Sequence, residues 1–144
     1  MAVINYPADA STLILNGFPI TEFAEGDFVT LEPQGEVTVA VNSAGGGTSI
    51  SQPINSFEAI LTIRVQRNSG NDALLNFWRN AVPALVFDGA IKTLFTRDNA
   101  PVIETVELRT MHITEAPGPV LNNMEPEHVS EWKFRVREAK RKVA

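Results

Sequence analysis

The chain has 144 residues, with 12 Lys and Arg against 17 Asp and Glu, a formal net charge of −5 and no cysteine. That length fits one domain, residues 1–144, with room for a hydrophobic core, and the missing cysteines exclude a disulfide framework and any thiolate metal site. No apolar run approaches the roughly 20 residues that span a bilayer, and the opening MAVINYPADAS lacks a basic stretch leading into a long apolar one, so neither membrane insertion nor a secretory leader is expected.

Charge is unevenly distributed. Seven acids (Asp9, Glu22, Glu25, Asp27, Glu32, Glu36, Glu58) precede Arg64, the first positive residue. The last thirteen residues hold six bases (Lys133, Arg135, Arg137, Lys140, Arg141, Lys142) against Glu138. Two readings fit: solvated faces of opposite sign, or head-to-tail self-association in which complementary charge guides encounter and register.

In chain order, residues 12–15 and 18–20 flank Asn16-Gly17, a two-residue hairpin turn signal because glycine tolerates positive φ. Pro19 lacks an N–H and places one of these strands at an edge or makes it short. Residues 28–32 and 37–42 follow as strands, the latter with Val37, Val39 and Val41 on a buried face and Thr38, Ala40 and Asn42 on a modestly polar one. Residues 43–53, SAGGGTSISQP, read as a flexible Gly-rich loop that either hangs as a hairpin tip or orders against a neighbouring subunit. Residues 57–66 are the strongest strand, with Phe57, Ala59, Leu61, Ile63 and Val65 on one face and Glu58, Ile60, Thr62, Arg64 and Gln66 on the other.

Residues 72–82 read as the one helix, capped by Asn71 or Asp72 and stopped by Pro83, with Leu74, Leu75, Trp78, Ala81 and Val82 as its apolar stripe and Phe77 at the border. A lone amphipathic helix among strands must lie against a sheet. Asp88-Gly89 and Arg97-Asp98-Asn99 read as turns, residues 102–114 as a long strand, and residues 132–136 as a strand with Trp132, Phe134 and Val136 inward. Residues 138–144 read as a basic tail. The fold class is mainly β, a β-sandwich or barrel-like domain with one flanking helix.

Chemistry is hard to find. His112 and His128 lack HxH or HExxH spacing, no serine sits in GxSxG, and the Gly run lacks the Lys-Ser/Thr of a phosphate loop. Glu104 and Glu107, three apart on a strand, fall on opposite faces and form no carboxylate pair. No enzyme, metal or cofactor is expected.

The order of motifs resembles the tail tube proteins of contractile-tailed bacteriophages. The NG hairpin followed by ITEFAEGDFVTLE resembles that family's N-terminal region. SFEAILTIRVQRNSGNDALLNFW is similar to its strand, turn and helix, PALVFDGAIKTLFTRDNA to its next hairpin, and EWKFRVREA to its closing strand. The resemblance implies hexameric rings of this subunit stacked into a hollow tube, in the tail of a virion assembled in the host cytoplasm. It implies a sheath protein outside, a tape measure protein inside during assembly, terminator and baseplate proteins at the ends, and transient passage of double-stranded DNA.

Within that resemblance, Thr38, Asn42, Glu58 and Thr62 (with Ala40) are lumen-lining candidates. A basic wall would hold DNA by releasing counterions, whereas a neutral or acidic wall gives no such gain, and screening confines its repulsion to about 8 Å at physiological salt. Gly45, Gly46, Gly47, Thr48, Ser49 and Ile50 are ring-stacking candidates. Glu22, Glu25 and Asp27, with Arg135 and Arg137, are candidate subunit-contact charges. Competing readings are a tube initiator, the tube subunit of a secretion or injection apparatus, a monomeric β-sandwich binding module, which calls for exposed clustered aromatics, and a small hydrolase.

Overall fold

The computed structural model describes residues 3–5, 11–24, 28–54, 56–118 and 128–143. Its strands are β1 (Ile4–Asn5), β2 (Ser11–Leu15), β3 (Phe18–Ile20), β4 (Val29–Pro33), β5 (Val39–Asn42), β6 (Thr48–Ser51), β7 (Ala59–Gln66), β8 (Phe87–Arg97), β9 (Ala100–Glu115) and β10 (Val129–Val143), with helix α1 (Gly70–Arg79) between β7 and β8. The main sheet runs β3-β2-β8-β9-β10-β7-β4, with β1 also pairing β8; β5 and β6 form a separate two-stranded hairpin. All pairings are antiparallel.

The sharp hairpins follow from local chemistry. Asn16 and Gly17 take φ of +51° and +80°, and Leu15 then faces Phe18 across the turn. Asp98 and Asn99 take +51° and +64° between Arg97 and Ala100. These are the left-handed pairs that match the twist of flanking strands, and Asn and Asp tolerate them. Pro19 sits in β3, a three-residue strand at the sheet's edge, as its missing donor requires.

The sheet curls without closing. Past β3, the chain crosses to β7: Gln66 N–H donates to the Glu22 carbonyl and Ala24 N–H to the Arg64 carbonyl. Alternation then fixes the core. Leu13 and Leu15 from β2, Leu61, Ile63 and Val65 from β7, and Trp132, Phe134 and Val136 from β10 are all buried on the concave side. Side chains of this size each stabilise by about 1.5–3 kcal/mol when fully buried.

Helix α1 differs from the sequence expectation at both ends. Ser69, not Asn71 or Asp72, is the N-cap; its Oγ accepts from Asp72 N–H at 3.3 Å. Asn71 instead binds the chain outside the helix, its Oδ1 accepting from the N–H groups of Thr21 and Glu22, both at 3.0 Å. The helix ends at Arg79, so Ala81 and Val82 leave the stripe and Val82 is exposed; Leu75 and Trp78 are the buried pair.

Other departures have physical reasons. Asp88-Gly89 is not a turn but lies inside β8. A Cβ on Gly89 would stand 2.7 Å from the Ile14 carbonyl oxygen and 2.9 Å from Leu15 Cδ2, so glycine is there for close packing against β2. Asp88 Oδ1 accepts from Thr110 N–H at 2.9 Å, holding the irregular point of β9 where Thr110 has φ of +55°. The Gly-rich stretch 43–53 is not loop throughout, because Thr48–Ser51 is β6. The basic stretch expected as a tail forms the end of β10, ladder-bonded to β9 as far as Val143 opposite Glu104. Ala139 N–H donates to the Phe57 carbonyl, and Lys140 Nζ sits 4.9 Å from the centroid of the Phe57 ring.

Candidate assembly surfaces

Three features of the described residues bear on assembly: a separate hairpin, the convex face of β7 and β10, and an apolar cleft.

The first is the β5–β6 hairpin. Val41 stands opposite Ser49 and Ala40 opposite Ile50, and the tip is fastened by Ser43 N–H to the Gly47 carbonyl and by Gly47 N–H to Ser43 Oγ. Thr48 Oγ1 donates to Asn42 Oδ1 at 3.0 Å. The sequence pattern suggests a buried valine face here; instead Val41 is 61% exposed and Val39 half-buried on that face, Val37 just before β5 is 69% exposed, and Ile50, beside Ala40 on the other face, is 70% exposed. Strand periodicity is present, but the described residues leave the valine side largely uncovered. The ring-stacking candidates 45–50 occupy the tip and β6 of this hairpin; Asn42 ends β5 on the face opposite Val39 and Val41, and Thr38 just precedes the strand.

The second is the convex face of β7 and β10. Glu58, Ile60, Thr62 and Arg64 lie there, turned away from the helix and the core, with Ala59, Leu61, Ile63 and Val65 buried beneath. Register brings Thr62 opposite Lys133, Ile60 opposite Arg135 and Arg64 opposite Glu131. Arg135 Nη2 bonds Glu58 Oε2 at 3.0 Å. The candidate lining residues Glu58 and Thr62 therefore share a face with the basic strand, and this face is of mixed charge and not acidic. Sequence position alone hid this, because the acid-rich half and the basic end of the chain are neighbours in the sheet.

Of the candidate contact charges, Glu25 and Asp27 lie outside the described residues. Glu22 has a place within the subunit: its carboxylate stands beside Gly70, 3.4 Å from where a Cβ would be, at the positive end of α1. Arg137 is exposed on β10, and Glu138 beyond it is held below the usual carboxylate range by a hydrogen bond from Lys140 and by that lysine's charge.

The third is a cleft of about 370 Å³ between the two ends of the curled sheet, walled by Leu13, Phe23, Phe28, Val29, Leu31 and Ile91. Arg141 and Glu104, an ion pair at 3.1 Å, also line it. Sequence reasoning missed this cleft, since it exists only because β4, at one end of the strand order, and β2, next to the other end, approach each other. Among the described residues no cluster of three or more His, Cys, Asp or Glu side chains could hold a metal ion, and no helix is long and apolar enough to cross a membrane.

No protein-family model and no curated protein matches the sequence. Solved structures match the fold. A chain of the PVC sheath/tube terminator of an extracellular contractile injection system, in the extended state, superposes with a TM-score of 0.69 at 15% identity, over 94% of this chain and 95% of that one. A chain of the PVC sheath-tube complex gives 0.66 at 15%, over 96% and 92%. The anti-feeding prophage cap, a tube-terminating cap, gives 0.68 at 12%, over 96% and 91%. At these identities the likeness establishes a shared fold. The neighbours belong to contractile injection systems and a related prophage particle, a broader class than the phage tail tubes that the motifs resemble.

Proposed function

We propose that the chain is a non-enzymatic structural subunit of the tube of a contractile tail or injection machine. The observation that carries this reading is the fold match over nearly the whole chain to components of tube, sheath-tube and cap assemblies. The subunit's own geometry supports it: a separate hairpin with Val37 and Val41 exposed, and sheet edges at β3 and β4 that no other described strand pairs, are features that assembly covers. Subunits joined head to tail close into rings, hexameric in the family it resembles, and rings stacked by the same logic extend into a tube.

In this reading the hairpin tip at 45–50 contacts the next ring and the β7–β10 face lines the lumen. That lining is non-stick by internal neutralisation, since Glu58 is already paired with Arg135. The sheath lies outside, tape measure protein and then DNA pass inside, and terminator and baseplate proteins hold the ends. The chain is a virion or particle component assembled in the host cytoplasm.

A second reading, a tube-ending terminator, is favoured by two of the three neighbours, which come from a sheath/tube terminator and a tube-terminating cap. Electron microscopy of concentrated protein separates the two. A tube subunit gives stacked rings of growing length, whereas a terminator gives single rings that bind the end of a tube and go no further.

A further inference from the structure

The turn between β2 and β3 carries a chemistry of its own. Asn16-Gly17 is the only Asn-Gly pair in the chain. Both residues are exposed, and a Cβ on Gly17 would meet no atom within 4 Å. The side-chain carbonyl of an asparagine is open to attack by the backbone nitrogen of the next residue, and a glycine there puts no side chain in the way and leaves the backbone free to turn. Other asparagines are tied down and followed by larger residues. Asn42 Oδ1 accepts from Thr48, Asn71 Oδ1 from the N–H groups of Thr21 and Glu22, and Asn80 Oδ1 from Arg79. Their next residues are Ser43, Asp72 and Ala81.

Folding has already set part of the reacting geometry. Asn16 and Gly17, with φ of +51° and +80°, form a type I′ turn. The type II′ turn also joins strands through two residues, and it keeps positive φ at the first of them. The two types differ by rotation of the one peptide between those residues. A cyclic imide joining the Asn16 side chain to the Gly17 nitrogen fixes ψ of residue 16 in the type II′ range. Rotating that exposed peptide therefore reaches the imide geometry while Leu15 stays paired with Phe18 and Asn16 N–H stays on the Asp88 carbonyl at 2.8 Å. We propose that Asn16 is a self-modification site, which passes through an imide with Gly17 to aspartate and isoaspartate, and that isoaspartate unlocks the β2–β3 hairpin. In the first step the Gly17 nitrogen bonds Asn16 Cγ, the Cγ–amide bond breaks, and the amide leaves with the Gly17 proton as ammonia. Water then opens the imide at either carbonyl, with no change of oxidation state. Opening at one carbonyl gives aspartate. Opening at the other gives isoaspartate, whose main chain runs through an extra methylene. A two-residue turn matched to the twist of its strands has no room for that atom, so the product disturbs the Leu15–Phe18 pairing and the seating of the Phe18 ring, 5.9 Å from that of Trp78.

The test holds the folded protein in mildly alkaline buffer, with a second portion unfolded in urea, and follows every asparagine by peptide mass mapping. Asn16 is expected to convert first in the folded protein, releasing ammonia and taking up one oxygen from isotopically labelled water, with the imide trapped by hydroxylamine. An Asn16 that keeps its amide in the folded protein while the urea-held chain loses it overturns the preset turn. Earlier conversion of another asparagine in the folded protein, or none in either portion, overturns the site. The structural consequence is read against Asn16→Asp, which carries the same new charge without the extra methylene and tolerates the left-handed turn. The isoaspartyl form, separated from the aged protein, should unfold at lower urea than Asn16→Asp, and equal midpoints would overturn the unlocking.

Discussion

The indole N–H of Trp132 donates to Asp72 Oδ1 at 2.9 Å, so one hydrogen bond fastens the first turn of α1 to β10. The other carboxylate oxygen accepts from Asn68 N–H at 3.0 Å. A carboxylate thus satisfies a donor on a buried tryptophan and a backbone donor just before the helix. Hydrogen bonds to charged groups contribute about 1.5–3 kcal/mol, and an orphaned buried donor costs a similar amount. Asp72→Ala is expected to destabilise by about 2–3 kcal/mol in urea unfolding. Asp72→Asn, which keeps one acceptor oxygen, should lose clearly less. Equal stability of Asp72→Ala and wild type would show that the bond is unimportant.

Gly89 is the tightest point of the sheet. Alanine there would press its Cβ onto the Ile14 carbonyl and Leu15, with Met111 Sδ at 3.3 Å behind. Overpacking of this kind costs about 1–3 kcal/mol. Gly89→Ala should lower the urea midpoint without changing the slope. An unchanged midpoint would mean that the β2–β8 pairing yields easily.

The Glu58–Arg135 pair tests the proposed lining. Arg135's side chain is 58% exposed, so Glu58→Gln is expected to change stability by less than about 1 kcal/mol. Glu58→Lys with Thr62→Lys turns the same face strongly basic, beside Lys133 and Arg135. If that face lines the lumen, the assembled variant should retain nuclease-protected DNA that high salt releases. Assembly with no retained DNA would place the lumen elsewhere.

The hairpin should be dispensable for folding and required for assembly. Its strands pair only with each other, and the core lies in the main sheet and helix. Replacing residues 38–51 with a short Gly-Ser linker should preserve the circular dichroism spectrum and shift Tm by only a few degrees (about 2–4 °C corresponds to 1 kcal/mol in a domain close to this size). Loss of the β signal would mean that the hairpin supports the subunit itself.

Much of this fold was legible in the sequence because local chemistry and tertiary structure agree. The Asn16-Gly17 and Asp98-Asn99 turns, the edge position of Pro19, the two faces of β7 and the inward Trp132, Phe134 and Val136 all follow from turn residues and period-two alternation. Where expectation failed, a non-local contact decided. Asp88-Gly89 has turn composition, but β2 needs its missing side chain. Asn71 looks like a cap, but its side chain holds Thr21 and Glu22. The valines of 37–41 alternate like a core strand, yet Val37 and Val41 face solvent and Val39 is half-buried. The assembly surfaces were least legible, because the cleft and the mixed charge of the convex face arise from strands far apart in sequence, and a partner's surface leaves no mark on local pattern.

Negative-stain electron microscopy of the purified protein, from dilute to high concentration, tests the central claim most directly. Self-assembly predicts rings with a central hole at high concentration, singly or in stacks. Uniform monomers throughout the range, with sheath and baseplate partners added as nucleators, would contradict it.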